Sequence, residues 1–447
     1  MSSEWPITSL SDLITVKHGF AFKGEFFCDE PSPYQLTTPG NFAICGGFQI
    51  GKGKYYNGPI PGDYVLSKDD LIVTMTDLSK SADTLGYSAM VPEIDGTTWL
   101  HNQRVGLVQI RPGAQVDKFF LHYLLRTDEY RHWVVSSATG STVKHTSPDR
   151  ICAYQFYLPP LKVQRAIAGG LGTLDARITL LRETNATLEA IAQALFKSWF
   201  VDFDPVRAKA EGRQPEGMDA ATAALFPDSF EESELGLVPR GWQVSKLDGV
   251  SDVGIGKTPP RKEPHWFSES SEDIRWVSIR DMGSAGAFLS ETSEYLTVEA
   301  IDRFNVRRVP DGTVLLSFKL TIGRVAITDG EMTTNEAIAH CKLTDQSPLS
   351  SEYIYLHLKQ FDYATLSSTS SIADAVNSKT VKAIPILVPS ADVVAAFQGM
   401  VGVIFERIKT VQQQAQTLTH LRDTLLPRLI SGQLRLPEAQ TLFEEST

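Results

Sequence analysis

Two stretches of this chain carry apolar residues at spacings of three and four, and they match position for position. The first holds Ile167, Leu171, Leu174, Ile178, Leu181, Leu188, Ile191, Leu195 and Trp199. An offset of 230 leads to Phe397, Val401, Ile404, Ile408, Val411, Leu418, Leu421, Leu425 and Leu429, every one apolar. The same offset carries Leu158-Pro159 onto Val388-Pro389 and Arg177-Ile178 onto Arg407-Ile408. The spacing predicts two long helices, over 161–200 and 391–431, each on the order of 60 Å. A single narrow stripe cannot be buried alone in water, so each helix needs a partner. The economical expectation is that the two pack antiparallel on each other, with globular domains at opposite ends of a pseudo-two-fold dumbbell. The period is too long for a solenoid, whose units run about 20–50 residues, and reads as a duplicated domain.

Outside the helices the pattern shortens. Residues 1–160 alternate β-rich runs, such as Asp70-Leu-Ile-Val-Thr-Met75 and Arg104-Val-Gly-Leu-Val-Gln-Ile-Arg111, with Gly/Pro/Asn turns. A helix is expected over 117–135, with Phe120, Leu121, Leu124 and Leu125 inward. The plan restarts after 240: Trp242 and Gly256 stand where Trp5 and Gly19 stood, and Asn335-Glu-Ala-Ile parallels Asn102-Gln-Arg-Val. A second domain helix is expected near 351–366. The expected organisation is mixed α/β: domain one over 1–160, long helix one over 161–203 and a linker over 204–240. Domain two follows over 241–390, then long helix two over 391–435 and a tail over 436–447.

Composition narrows the function classes. The four cysteines are scattered, without metal-ligand or disulfide spacing. The start has no signal-like apolar run and no stretch approaches ~18 apolar residues, so a cytoplasmic protein without a membrane span is expected. Net charge is −11, and no region is basic overall: residues 1–160 carry −3, 161–240 −3, 241–390 −4 and 391–447 −1. Any affinity for DNA must come from local clusters or be shared with a partner.

The stretches Leu158-Pro-Pro-Leu-Lys-Val-Gln-Arg-Ala-Ile167, Leu195-Phe-Lys-Ser-Trp-Phe-Val-Asp-Phe-Asp204 and Gly236-Leu-Val-Pro-Arg-Gly-Trp242 carry a resemblance. So do Ser317-Phe-Lys-Leu-Thr-Ile-Gly-Arg-Val-Ala326 and Leu425-Leu-Pro-Arg-Leu-Ile-Ser-Gly432. In this order, within a duplicated plan, they resemble the specificity subunit of Type I restriction-modification systems over essentially the whole chain. The resemblance implies two target recognition domains, each reading half of a bipartite, asymmetric site in double-stranded DNA. It implies helices that fix the spacing and dock two modification (methyltransferase) subunits and restriction subunits. S-adenosylmethionine, ATP and Mg would reside in those partners, with none of them in this chain. A self-contained DNA-modifying enzyme and a scaffold that binds only proteins are the alternatives.

Candidate sites follow from chemistry. Gly254-Ile-Gly-Lys-Thr258 ends like a phosphate loop, but the first glycine position is Ser251 and Pro259-Pro260 obstruct the following helix. Asp311 with Ser317-Phe-Lys319 lacks the second acid of a nuclease cage, and no amino-methyltransferase tetrapeptide exists. DNA contacts are expected in interstrand loops combining cations, amides and hydroxyls. In the first domain these are Lys17, His18, Lys23, Lys52, Lys54, Tyr55, Asn57, Lys80, Asn102, Gln103, Arg104, Lys144 and His145. In the second they are Lys257, Thr258, Arg261, Lys262, Arg280, Lys319, Arg324, Asn335 and Ser370. Phe196, Trp199, Phe200 and Phe203 form a dense aromatic group, read either as a partner-docking patch or as cover for the linker.

Overall fold

The computed structural model describes residues 5–51, 53–79, 81–140, 143–366 and 376–435. Two compact units emerge: Met1–Ile178 with Gln416–Thr447, and Thr179–Ala415. The long helices are Leu161–Phe200 and Ala391–Ile430, and each begins in one unit and ends in the other. In the first unit the start of helix one meets the end of helix two through Asp175 and Arg422. In the second unit Phe196, Trp199 and Phe200, at the end of helix one, surround Phe397 near the start of helix two, with ring centroids 4.8 to 6.0 Å apart.

Ile167, Leu171, Leu174 and Ile178 are buried as their spacing predicts. Further along helix one the buried face departs from the expected stripe. Ile191 is exposed and Leu188 and Leu195 are half-buried, while Ala192, Phe196, Trp199 and Phe200 fill the interior. A straight α-helix drifts by about 20° per heptad against a 3.5-residue repeat, so a strict stripe does not stay on one face. Helix one also meets a third element, the domain helix Ser351–Gln360, whose Tyr353 lies 4.9 to 5.0 Å from Phe200 and Phe196.

The two domains are built on one strand plan. In the first, an antiparallel sheet runs in the order Ile14–His18, Val105–Ile110, Leu71–Thr74, Ser88–Met90. In the second, Asp252–Ile255, Ile338–Lys342, Val314–Ser317 and Val325–Thr328 take the same order, and Phe288–Leu289 adds a parallel edge. A smaller sheet accompanies each: Phe27–Cys28, Tyr55–Tyr56, Tyr34–Leu36 and Thr98–Leu100 in the first domain, the last pair parallel. Its counterpart is Phe267–Ser268, Glu294–Leu296, Ile274–Val277 and Thr333–Thr334, again with the last pair parallel. A two-stranded ribbon closes each domain, Ile7–Ser9 on Gln155–Tyr157 and Gln243–Lys246 on Pro385–Val388. Leu71–Thr74 and Val314–Ser317 are buried at every position, and so read as continuous apolar runs rather than alternating ones.

Three expectations are corrected. The helix over 117–135 is two, Lys118–Leu124 and Asp128–Ser136, because Thr127 caps the second by accepting a bond from Tyr130 N–H. The helix near 351–366 stops at Gln360, and a 3₁₀ turn follows at Tyr363–Leu366. The linker is folded: helices Asp204–Ala210 and Ala220–Ala224 precede a hairpin of Phe230–Ser233 with Gly236–Pro239. That segment supplies Phe226 and Val238, which with Trp242 cover Phe196, Trp199 and Phe200 at 2 to 5 % exposure. Phe203, half-buried at φ 57°, lies 6.0 to 6.1 Å from the Trp242 and Phe230 rings. The aromatic group is core, and its docking role is withdrawn.

Candidate nucleic-acid interface

One end of the second domain's main sheet gathers most of that domain's candidates. Asp252–Ile255 runs out into Gly256, Lys257 and Thr258, and Asn335 leads into Ile338–Lys342 beside it. The crossing is close: a Cβ on Gly256 would stand 2.1 Å from the Asn335 carbonyl oxygen, so only glycine fits. Lys257 N–H donates to Thr334 O, Trp276 Nε1 donates to Lys257 O, and the Thr258 hydroxyl donates to Glu336. Phe318 N–H donates to Ala337 O, which brings the loop carrying Lys319 to the same end. The Arg324 guanidinium donates to Ile279 O, drawing in the short helix Ile279–Ser284 with Arg280. Lys257, Arg280 and Lys319 are exposed there.

The first domain repeats the arrangement with other side chains. A Cβ on Gly19 would likewise stand 2.1 Å from Asn102 O. His18 ends one strand, and Asn102, Gln103 and Arg104 lead into its neighbour, with His18, Gln103 and Arg104 exposed. Thr76–Asp77 pairs with Lys144–His145, and the Thr76 hydroxyl meets His145 Nδ1 at 3.1 Å. Asn102 Oδ1 accepts from Gln103 N–H and Asn335 Oδ1 from Ala337 N–H, so each asparagine first shapes its own loop.

Several candidates have internal duties instead. Arg261 makes a two-pronged pair with Glu294 at 2.6 and 2.9 Å and lies over the rings of Phe267 and Trp276. It stitches the smaller sheet. Arg324 is spent on the Ile279 carbonyl, and Lys17 Nζ donates to Asp63 O while resting over Tyr64. Lys54 lies over Phe27, and Lys23 pairs with Glu25 at 3.6 Å on the surface. Tyr55 lies in an inner strand of the smaller sheet, between Phe27–Cys28 and Tyr34–Leu36, and Asn57 N–H donates to Phe26 O just beyond it. Lys262 is exposed beside Arg261. Lys52, Lys80 and Ser370 lie outside the described residues.

Sequence reasoning passed over the residues that hold the loops in shape. Asp77 accepts from Ser79 N–H at 2.6 Å and from the Thr84 hydroxyl at 2.7 Å. Burial pushes its carboxyl up, but the bonds from Thr84 and Ser79 outweigh that and hold it below the ordinary value. Ser317, the position without an acid in the nuclease comparison, ends the strand equivalent to Leu71–Thr74 and bonds across its loop to Thr321 O and Arg324 N–H. The available signal was a small polar residue closing a fully buried strand just before a glycine-containing loop.

The two sheet ends offer cations and hydroxyls suited to phosphates and amides suited to base edges. Among the described residues no helix is long and apolar enough to cross a membrane, and no group of His, Cys, Asp and Glu could hold a metal ion. The family model described as Type I restriction modification DNA specificity domain matches residues 2–190 and 239–424. The Type I restriction enzyme HindI specificity subunit of Haemophilus influenzae is 31% identical over 360 residues, covering 70% of this chain and 77% of that protein. The EcoBI specificity subunit of Escherichia coli is 23% identical over 450 residues, covering 96% and 86%. The crystal structure of a Type I restriction-modification S subunit from M. genitalium shares the fold at a TM-score of 0.54 and 14% identity, covering 96% of both chains.

Proposed function

As the chain belongs to the Type I restriction-modification DNA specificity family, we propose that it is the non-catalytic reader of a bipartite, asymmetric site in double-stranded DNA. One domain reads each half-site. The observation that carries this reading is the recurrence of one strand plan whose equivalent ends present different cations, amides and hydroxyls. A common scaffold with unlike loops is what two unlike half-sites require. Two readers on one face of a duplex must be offset by roughly one helical turn, ~34–36 Å, or a multiple. Helices of this length are stiff enough to hold that spacing, and they dock two modification subunits and restriction subunits. Those partners bring S-adenosylmethionine, ATP and Mg, and with them the methyl transfer, translocation and cleavage. They also supply much of the phosphate contact that a chain of net charge −11 lacks.

The test is methyl transfer. Purified chain with DNA and S-adenosylmethionine should transfer no methyl groups until a modification subunit is added, and then only to one bipartite sequence. Methylation by the chain alone would overturn the proposal in favour of a self-contained enzyme.

A further inference from the structure

The loop closing Val314–Ser317 onto Val325–Thr328 is held at nearly every residue. Ser317 N–H donates to Arg324 O at 2.9 Å, and Gly323 N–H to Ser317 O at 3.0 Å. The Ser317 hydroxyl donates to Thr321 O at 2.6 Å and accepts from Arg324 N–H at 3.0 Å. Phe318 is buried, and Gly323, at φ 87°, sits where a Cβ would press on the Tyr363 ring at 3.0 Å. At the tip Thr321 N–H reaches back to Lys319 O at 2.7 Å, with Leu320 between them at φ 62°. This is the positive-φ form of the γ-turn, the rarer and strained one.

Leucine is the wrong residue for that place on stability grounds. Glycine or asparagine takes positive φ at lower cost, and a polar side chain would suit the solvent. Yet Leu320 is 85% exposed, more than any other large apolar side chain among the described residues. The first domain also carries an exposed leucine in the equivalent loop: Leu78, 62% exposed and without the positive φ, follows Thr76–Asp77, and Asp77 accepts bonds from Ser79 and Thr84 across that loop. An exposed leucine in the same loop of both domains, held in the second at a strained φ by an over-determined loop, points to a use outside the fold.

The surroundings say what that use is. Lys319 is adjacent, Lys257 is exposed on a neighbouring loop and Arg280 on the neighbouring short helix, and the exposed acid Glu336 accepts the Thr258 hydroxyl. A held apolar tip with cations exposed at the same sheet end matches a phosphate-lined groove whose floor carries an apolar feature. In duplex DNA that feature is the C5-methyl group of thymine in the major groove. Resting on the DNA-reading function proposed above, we propose that Leu320 contacts a thymine methyl in the half-site read by the second domain, and Leu78 one in the other.

The experiment uses the full chain assembled with its modification subunit and duplexes of its mapped target. Each thymine is replaced in turn by deoxyuridine, which lacks only the methyl. One replacement in each half-site should weaken wild-type binding about fourfold, the worth of one buried carbon. In Leu320→Ala the penalty should vanish in one half-site and persist in the other, and Leu78→Ala should do the reverse. Leu320→Gly should lose the same discrimination while its unfolding temperature stays level or rises, which separates the effect from misfolding. An unchanged deoxyuridine penalty in Leu320→Ala would refute the contact. So would a loss equal on all duplexes, failed assembly with the modification subunit, or unstacking of 2-aminopurine at the site, which would mark a wedge instead. Failure of the broader reading looks different: the wild-type assembly would then prefer no bipartite target.

Discussion

Neutral histidines are buried in both units and make the fold sensitive to acid; His122 and His340 show how. His122 Nε2 faces Arg126 Nη1 at 3.3 Å, so its Nδ1–H donates to the Ser88 hydroxyl, which in turn donates to the His122 carbonyl. Burial, then the Arg126 charge, push its pKa down to about 3. His340, bonded to the Thr334 hydroxyl at 2.8 Å, is pushed down to about 4 by burial and then by Arg307. Unfolded histidine takes up its proton near 6.5, so these groups stabilise the fold fully above that value. The contribution falls between pH 6.5 and 4, at about 1.4 kcal/mol per pH unit for each histidine. Thermal unfolding followed by circular dichroism should shift to lower temperature across that window, and His340→Gln should flatten the dependence. Nearby, Asp175 joins Arg126 at 2.9 Å and Arg422 at 2.7 Å. Burial raises its pKa, but the two arginines outweigh it and hold it at about 2. Its stabilisation therefore disappears only below about pH 4, well under the histidine window.

At the level of elements, the long helices decide most of the packing. Phe397 sits at 1% exposure among Phe196, Trp199, Phe200 and Tyr353, whereas Ile191 is 46% exposed. Phe397→Ala should cost about 3–5 kcal/mol in urea unfolding, while Ile191→Ala should stay within about 0.5 kcal/mol. Both positions belong to the repeated apolar stripe, so equal effects would put the buried face where the bare spacing places it. Here the limits of legibility in the sequence are plain. Periodicity exposes helix extent and count because a 3.6-residue repeat over 40 residues is a strong signal. It does not reveal a third partner such as Ser351–Gln360, which turns the buried face toward Phe196 and Phe200. The glycine crossings were legible as Gly19 and Gly256, since close backbone approach leaves a residue-type signature. Arg261 looked like a DNA contact for lack of such a signature: nothing local announces Glu294, which lies 33 positions away.

For the whole molecule, the strand plan and the loops vary separately. The main sheets keep their order, and the loops that close them differ in length and chemistry. Exchanging residues 1–160 for the first domain of a related chain should therefore change one half of the methylated sequence and leave the other half intact. Sequencing methylated adenines in cells carrying the hybrid checks this, and an unchanged target would refute the division of labour. The division of the helices between units also bears on how the protein is made. The first unit includes Gln416–Thr447, yet its other part ends at Ile178, roughly 240 residues earlier. At about 5–20 residues per second, a ribosome takes on the order of 12–50 s to supply the missing piece. Throughout that interval Ile167, Leu171 and Leu174 lack the helix that will cover them, and Asp175 lacks Arg422. The nascent chain thus carries an open apolar seam for most of its synthesis, and its yield in the cell should depend on whatever shields that seam until translation ends.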